Sequence, residues 1–428
     1  MTLFEAASSL GGRVSSFTDP ETGLGLDNCQ HVLLGCCTQA IGFLRRIGSL
    51  EQVEFHDRLN MVDARQARLT IESSWLPAPL HLLGSIASTP YLSAADKFAL
   101  ARVLALMLAR KPGKSETAGD YLRSLGCSQQ LLDRLVEPVI VSALNERADD
   151  ASARYARMVL VALLVKGKRG CRLGVPKVPQ SELIGNAASR WLSGRGCEIR
   201  VNARVKRLHV EDGLARFVEL ASGERMEFDA YVAAVPPDAL ARMGISAGGG
   251  QQLAWRPIVG AHLFFAGPVP WFEPTCAVGE PFGWVFGKRP SLGYVQAVAS
   301  AAESIVGLPK SEALSLALRA AAKVEPMLCG MPLTRGIIYR ARRATFATLS
   351  CDAHRPAAVT STANLFLAGD WTDTGWPATI ESAVRSGRAA ARWLLRQQAV
   401  RSNVRALHSH ALSQRPAGFH PIRSLHRA

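Results

Sequence analysis

The period of the hydrophobic pattern changes along this chain, and the order of the changes limits the folds it can adopt. From residue 75 to about 165, leucines recur at three- and four-residue spacing, which is typical of helices. After Gly196 the pattern alternates, which predicts strands within 197–210, 214–220 and 225–235. The sequence therefore predicts a mixed α/β fold in which a helical block separates strand-forming segments.

Shorter elements lie on either side of these blocks. Residues 2–6 are a predicted strand that ends in an acid, 38–47 a helix, 364–369 a buried strand and 380–398 a helix. Strands and helices of one nucleotide-binding unit are thus far apart in sequence. The expected domains are a discontinuous Rossmann-like domain (1–60, 195–240 and 360–398), a helical and strand-rich second domain (61–194 and 241–359) and a basic, disordered tail (399–428).

The chain carries a formal net charge of +15, of which the tail contributes five arginines. No nucleic-acid-binding motif accompanies this charge, so we expect no nucleic-acid partner. The apolar stretches 98–109 and 158–165 are shorter than the roughly 20 residues of a membrane span, although peripheral contact with a membrane stays open. Nine scattered cysteines without a C-x-x-C pair indicate neither disulfides nor a metal site, and favour the cytoplasm.

The first predicted strand leads into candidate ligand-binding residues. Glu5 stands at its end, where an acid can accept hydrogen bonds from ribose hydroxyls. The pair Gly11-Gly12 lets backbone approach a ligand closely, and Arg13 adds a fork of donors suited to phosphate. Each feature alone is equally compatible with an ordinary surface turn.

A second candidate group follows the buried strand 364–369. Gly369 and Asp370 lie at the carboxyl end of that strand, where Asp370 could accept a hydrogen bond from a sugar-like hydroxyl. Thr379 is a plausible N-cap for the helix that starts at Ile380. The N-terminus of that helix would offer free N–H groups to an electron-rich ligand.

Taken together, these segments resemble the FAD-dependent amine oxidase/phytoene desaturase superfamily over nearly the whole chain to about residue 398. The resemblance implies FAD as cofactor. It assigns Glu5 to the adenosine ribose and Gly11, Gly12 and Arg13 to the pyrophosphate. It places the backbone of Val205 against adenine, and the flavin end against Gly369, Asp370, Thr379 and Ile380.

Two longer stretches, Asp27–Cys36 (DNCQHVLLGC) and Ala368–Thr379 (AGDWTDTGWPAT), resemble the squalene-associated enzymes of that superfamily, the hydroxysqualene dehydroxylases of hopanoid synthesis. The resemblance implies reductive conversion of hydroxysqualene to squalene, with a long isoprenoid as substrate. Asp27 and His31 are the candidate proton donors. Cys29 departs from the family pattern, in which we expect glycine, and this puts the local turn in question.

No G-x-G-x-x-G stretch precedes Glu5. Since that motif follows the first strand of a Rossmann fold and receives the pyrophosphate, we expect an FAD domain without its first βα unit, as a misplaced start codon would produce. Three alternatives stay open: a carotenoid-type desaturase that runs the flavin in the oxidising direction, a truncated remnant, and a lipid-binding protein that has lost FAD.

Overall fold

The computed structural model describes residues 1–246, 248–349 and 355–413. Its strands are Thr2–Phe4, Ser16–Thr18, Gly25–Asp27, Leu33–Leu34, Val53–His56, Arg58–Val62, Arg68–Glu72, Leu173–Pro176, Glu198–Arg200, Val205–Glu211, Leu214–Leu220, Arg225–Glu227, Tyr231–Ala233, Trp255–Phe265, Thr275–Ala277, Trp284–Arg289, Tyr294–Ala299, Leu333–Phe346 and Leu365–Leu367.

The α-helices are Thr38–Arg46, Leu83–Ser88, Ala94–Ala109, Ala118–Ser124, Gln129–Leu131, Glu137–Leu144, Ala153–Val165, Gly167–Cys171, Ala187–Ser193, Pro237–Arg242, Lys310–Val324 and Ile380–Ser413. Two π-helical stretches, Leu132–Val136 and Ser181–Asn186, each run directly into the next α-helix.

A seven-stranded sheet forms the strand-rich half of the molecule. Its order is Leu333–Phe346, Trp255–Phe265, Tyr294–Ala299, Trp284–Arg289, Thr275–Ala277, Arg58–Val62 and Arg68–Glu72. All neighbours are antiparallel except Thr275–Ala277 with Arg58–Val62. The helix Lys310–Val324 packs a stripe of fully buried alanines against this sheet, because small side chains let helix and sheet approach closely.

Two short parallel pairings join segments that are distant in sequence. Thr2–Phe4 pairs with Glu198–Arg200, and Tyr231–Ala233 pairs with Leu365–Leu367. Parallel strands need a crossover connection, and here the crossovers are the large insertions themselves. The interleaving that the sequence predicts is therefore present. The division into an FAD domain and a substrate domain, and the loss of a first βα unit, remain predictions.

A three-stranded sheet connects the Asp27–Cys36 stretch to the rest of the protein. The strand Leu173–Pro176 lies in its middle, between Leu33–Leu34 and Val53–His56. The four residues of that central strand are all buried. This small sheet therefore fixes one wall of the region that the sequence points to as the site.

Most of the expected elements are present, with three differences. The long strand Leu333–Phe346 is not predicted, because four arginines along it obscure the alternation of apolar and polar residues. The strands between Val53 and Glu72 are likewise not predicted. The last helix runs on to Ser413, past the expected boundary at 398, while residues 414–428 of the expected tail lie outside the described residues.

The apolar stretches 98–109 and 158–165 both lie in helices that also pack against the core. Among residues 1–246, 248–349 and 355–413, no helix has the length and apolar character required to cross a bilayer.

Candidate flavin and catalytic site

Arg13 and Asp370, 357 positions apart in sequence, are brought together in an ion pair. The Arg13 guanidinium also donates to the Ala344 carbonyl at 2.7 Å and lies over the rings of Trp255 and Phe346, 5.5 and 5.4 Å from their centroids. Asp370 is buried, whereas Arg13 remains half-exposed. A cation held by one carboxylate and two aromatic faces, with one side open to solvent, can exchange that carboxylate contact for an anionic ligand.

The helix that begins at Ile380 is held against the strand end that carries Asp370. The Ser382 hydroxyl donates to the Asp370 carbonyl at 3.3 Å, and the Ser382 amide donates to the Thr379 hydroxyl at 3.4 Å. Thr379 thus caps the helix, as predicted. Gly369, at a φ of +140°, donates its amide to the Ser386 hydroxyl at 2.7 Å. A side chain at this position would collide with the ring of Trp371, so glycine is required here.

Glu381 in the first turn of this helix joins it to the helix Thr38–Arg46. One oxygen of its buried carboxylate accepts from the Ala40 amide and the other from Nε of Arg385, both at 2.8 Å. The acid satisfies an amide at the start of the neighbouring helix. The helix N-terminus at Ile380 is therefore fixed in place from two sides.

Glu5 and Val205 form a second, separate locality. The Glu5 amide donates to the Arg200 carbonyl, and its carbonyl accepts from the Ala203 amide, each at 2.9 Å. These bonds hold the end of the first strand beside the turn that leads into Val205. The Glu5 carboxylate accepts from the Ala7 amide at 2.8 Å. Within the described chain, the structure shows no direct contact between this locality and the Arg13–Asp370 pair.

The two glycines before Arg13 adopt backbone conformations that other residues rarely take. Gly11 has a φ of +126° and Gly12 of +59°. A Cβ at Gly11 would lie 2.6 Å from the Val14 carbonyl oxygen. The glycine pair is therefore needed to turn the chain toward Arg13, and its place against a pyrophosphate stays a prediction.

Asp27 is buried at the end of a strand and lines a cavity of about 270 Å³. Its Oδ1 accepts from the Ser16 hydroxyl at 2.7 Å and from the Gln180 amide at 2.8 Å. Burial raises the pKa of Asp27, and the nearby charge of Lys288 acts in the opposite direction. A carboxyl in this setting retains its proton to higher pH than one in water.

Lys288 and Tyr294 line the same cavity as Asp27. The Lys288 ammonium donates to the Gln30 side-chain oxygen at 2.6 Å and to the Pro176 carbonyl at 3.2 Å. Burial lowers the pKa of Lys288, while the charge of Asp27 raises it. Burial also raises the pKa of Tyr294 well above its usual value. The cavity thus contains a carboxyl and an amine for which burial disfavours the charged form of each group.

A buried polar row lies behind Tyr294. His262 Nδ1 and the Tyr294 hydroxyl are 2.7 Å apart, and burial lowers the pKa of His262 to about 4. Gln296 on the same strand is fully buried, and its amide group has no hydrogen-bond partner within the described part of the chain. Unpartnered buried amides are uncommon in folded proteins, so this row marks a polar interior next to the cavity.

His31 lines a smaller cavity together with Ile380 and Gln180. Burial, and to a lesser extent the charge of Arg13, lower the pKa of His31 to about 4. Its Nε2 and both polar side-chain atoms of Gln180 are shielded from solvent without a hydrogen-bond partner among the described residues. Both side chains form part of the wall of the cavity beside the helix N-terminus at Ile380, and a polar ligand edge that reached their unpartnered atoms would satisfy them.

Comparison with known proteins identifies the family. The profile of flavin-containing amine oxidoreductases matches residues 1–395. The chain belongs to this family. Members contain flavin, and the chain is therefore related to flavin-dependent oxidoreductases.

Individual relatives narrow the comparison. The chain is 31% identical to the hydroxysqualene dehydroxylase of Rhodopseudomonas palustris, over 91% of each chain, and 30% identical to that of Zymomonas mobilis, over 91% and 92%. It is 21% identical to the 15-cis-phytoene desaturase of Glycine max, over 91% of this chain and 74% of the relative. The resemblance to squalene-associated enzymes drawn from the sequence is thereby confirmed.

Solved structures support the fold. An oxidoreductase from Methanosarcina mazei superimposes with a TM-score of 0.69 at 15% identity, covering 91% of this chain and 94% of the other. Putrescine oxidase bound to putrescine superimposes with a TM-score of 0.66 at 15% identity, covering 91% and 92%. The mixed α/β fold expected from the sequence is thus the fold of flavin amine oxidases.

Cys29, which departs from the family pattern, fits its surroundings in the structure. It is buried, and it is not among the described residues with positive φ. The Asn28 side chain accepts from the Cys29 amide at 2.8 Å, and the backbone here packs against Gly260, where a Cβ would lie 3.0 Å from the Asn28 carbonyl oxygen. The turn therefore does not need glycine at position 29, because the neighbouring strand supplies one at 260.

Sequence reasoning missed Lys288, Tyr294 and His262 as site residues. Each sits within a strongly apolar strand. A lysine, a histidine or a glutamine on an inward position of such a strand breaks the hydrophobic pattern. That break is the sequence feature from which these residues could have been predicted. Arg355 was also missed: it donates to the carbonyls of Asp370 and Trp376, in a segment without a recognisable motif.

Proposed function

We propose that this chain uses reduced FAD to remove the hydroxyl group of hydroxysqualene, giving squalene and water. The observation that carries the proposal is the similarity, at about 30% identity over 91% of the chain, to hydroxysqualene dehydroxylases from three bacteria. The chain also spans at least 91% of each of those relatives, so the comparison extends over both halves of the fold.

The residues present suit FAD. In the proposal, Arg13 holds the pyrophosphate and Asp370 a ribityl hydroxyl, once the two separate from each other. The helix N-terminus at Ile380 and the orphan groups of His31 and Gln180 face the ring. The cavity beside Ile380 has a volume of about 10 Å³ in this conformation, room for about one water molecule, so these side chains must move apart to admit a flavin ring. Glu5 and the backbone of Val205 serve the adenosine end.

Reduced FAD supplies the hydride that replaces the hydroxyl. The protein must protonate that hydroxyl so that it leaves as water, and must keep bulk water away from the cationic carbon. Asp27 and Lys288 are the proposed source of the proton, because they share one cavity and burial disfavours the charged form of each group. His31 stays neutral at pH 7, since its pKa is about 4. We therefore assign His31 to orienting the ring rather than to donating the proton.

The cavity lined by Asp27 and Lys288 has a volume of about 270 Å³. Cavities that enclose ligands usually range over about 300–1000 Å³, so this one accommodates only the hydroxyl-bearing part of a C30 chain. The wall includes the aromatic rings of Phe272 and Phe286 beside charged residues such as Glu54, Lys177 and Arg289, so only its aromatic part suits the carbons on either side of the hydroxyl. The remainder of the hydrocarbon requires a widened form of the cavity.

The test is a comparison of two substrates with purified protein. Reduced protein with bound FAD should convert hydroxysqualene to squalene, and oxidised protein should leave phytoene unchanged. Conversion of phytoene without squalene formation would favour the carotenoid-type desaturase instead. Protein that stays colourless with added FAD would leave the truncated remnant and the lipid-binding protein as the alternatives.

A further inference from the structure

Large apolar side chains are exposed along one part of the helical half of the molecule. The exposed fractions of these residues are 89% for Trp75, 76% for Phe98, 52% for Leu83, 50% for Leu80 and 48% for Val165. Single exposed apolar residues are ordinary on protein surfaces, whereas a contiguous group marks an interaction site.

Hydrogen bonds and close contacts place these side chains on neighbouring elements. The Ser74 amide donates to the His81 carbonyl at 2.7 Å and closes the loop that carries Trp75 and Leu80. His81 is buried, with Nε2 3.4 Å from the sulfur of Cys171, at the end of the helix Gly167–Cys171. That helix follows Val165 directly, so the loop and the helix lie side by side.

Two further contacts extend the same surface. A Cβ at Gly167 would lie 3.9 Å from the Cβ of Ala78, at the tip of the loop. The Lys97 ammonium donates to the Ala87 carbonyl at 2.7 Å, which joins the start of the helix bearing Phe98 to the end of the helix bearing Leu83. The exposed apolar residues therefore form one patch, made of Trp75, Leu80, Leu83, Phe98 and Val165.

The exposed charged residues on the segment next to Val165 have a single sign. Lys166, Lys168 and Arg169 are exposed on the segment next to Val165. The sequence has no Asp or Glu between Glu72 and Asp96, nor between Asp150 and Glu182. No ion pair involves the three basic side chains anywhere in the residues that the structure describes.

Nearby acids do not cancel this charge. Glu72 pairs with Arg58 at 3.2 Å, and Asp57 pairs with Arg172 at 2.9 Å. The segment Lys166–Arg169 therefore presents three uncompensated positive charges beside the apolar patch. An apolar surface bordered by lysine and arginine, with an exposed tryptophan at its edge, has the chemistry of a membrane interface rather than of a protein partner of matching shape.

We propose that the apolar patch and the basic segment Lys166–Arg169 together dock the protein on an anionic lipid bilayer. Trp75, Leu80, Leu83 and Phe98 enter the boundary between headgroups and acyl chains, while the basic side chains bind the anionic headgroups. This inference rests on exposed side chains and charge. It stands independently of the proposed reaction, and no membrane-crossing element is involved.

Flotation of the full-length, FAD-loaded protein with vesicles tests the proposal. We expect binding to vesicles of phosphatidylcholine with 30% phosphatidylglycerol, and much weaker binding to pure phosphatidylcholine. The variant K166Q/K168Q/R169Q should bind the anionic vesicles about 100-fold more weakly, at roughly fivefold for each charge near an anionic surface. The variant W75S/F98S should lose binding at both low and high salt.

Matched controls separate docking from general charge and hydrophobicity. Arg65, Arg225 and Lys310 are exposed basic residues on other elements, and Trp271 is an exposed tryptophan at 66%. The variants R65Q/R225Q/K310Q and W271S should bind vesicles as the unmodified protein does. Equal binding by the patch variants and their controls, or no vesicle binding by the unmodified protein, would overturn the proposal.

Folding and the proposed reaction are read out separately. Circular dichroism melting shows whether each variant is folded. The dehydroxylation assay in detergent micelles needs no bilayer, so the patch variants should retain their turnover there. If the unmodified protein showed no dehydroxylation in micelles, the proposed function would be refuted. The result of the vesicle-binding experiment would be unaffected.

Discussion

Replacing Asp27 with asparagine tests the proposed proton source directly. The change keeps the size of the side chain, and Oδ1 can still accept from the Ser16 hydroxyl and the Gln180 amide. We therefore expect a stability change below about 1 kcal/mol, since both hydrogen bonds survive. What is lost is the ionisable proton in the cavity that also contains Lys288.

The expected loss of turnover is large. General acid catalysis contributes about 10²–10⁴ in rate, and we take the lower end because Lys288 remains. A hundredfold decrease corresponds to about 2.7 kcal/mol in activation free energy. Removing the Asp27 charge also removes an influence that raises the pKa of Lys288, so the remaining amine should lose its proton at lower pH than before.

The pH dependence of turnover tests the role of Asp27 more specifically than the loss of turnover at a single pH. Burial raises the pKa of Asp27, so the acid form persists above the ordinary carboxyl range, and activity should fall as pH rises through that pKa. In Asp27→Asn this decline should be absent. The assay is squalene formation per bound flavin, measured across pH 5–9 with FAD content determined by absorbance.

A matched control is Asp63→Asn. Asp63 is also buried, but it pairs with Arg134 at 2.6 Å and does not line the cavity. This control should lose stability yet keep its turnover per bound flavin. If Asp27→Asn retained full turnover with an unchanged pH profile, the assignment of Asp27 as proton source would be wrong.

Three further predictions follow from the same contacts. Arg13→Met should weaken FAD binding about 10- to 100-fold by titration, because one charged hydrogen bond is worth about 1.5–3 kcal/mol; unchanged affinity would exclude Arg13 from the phosphate site. His31→Ala should slow dehydroxylation more than it reduces FAD retention, and equal losses would mean a structural role. Asp19→Asn breaks a buried pair with Arg335. That pair holds the pKa of Asp19 well below its usual range, so its contribution is present above about pH 4 and lost as pH falls. Thermal melts at pH 7 should show the variant to be the less stable protein, because Arg335 loses its charged partner. The gap between the two melts should narrow below pH 4.

Local signals in the sequence were enough to predict the parts of the site that depend on backbone. Thr379 has the predicted capping geometry, and Gly369 and the Gly11-Gly12 pair adopt positive φ values that favour glycine. The Arg13–Asp370 pairing could not be read from the sequence alone, because it depends on how distant segments fold onto one another. The family resemblance, however, placed both residues at one cofactor.

The set of residues that lines the cavity around Asp27 could not be predicted from the sequence. Asp27 comes from the Asp27–Cys36 stretch, whereas Lys288 and Tyr294 come from central strands of the large sheet. Tertiary packing brings these residues together. They have no fixed spacing in the sequence, so no motif could predict that they share a cavity. The long strand Leu333–Phe346 was hidden for a related reason, since its arginines find partners elsewhere in the fold, such as Asp19 for Arg335.

Pro176 borders both cavities, the one beside Ile380 and the one that contains Asp27. It ends the central strand of the small sheet, in which Leu173 and Gly174 are paired on both sides while Val175 and Pro176 are paired on one. If the proposed cofactor and substrate sites occupy these two cavities, Pro176 belongs to the wall of both. Movement of this strand end to admit the flavin ring would then also change the space beside Asp27.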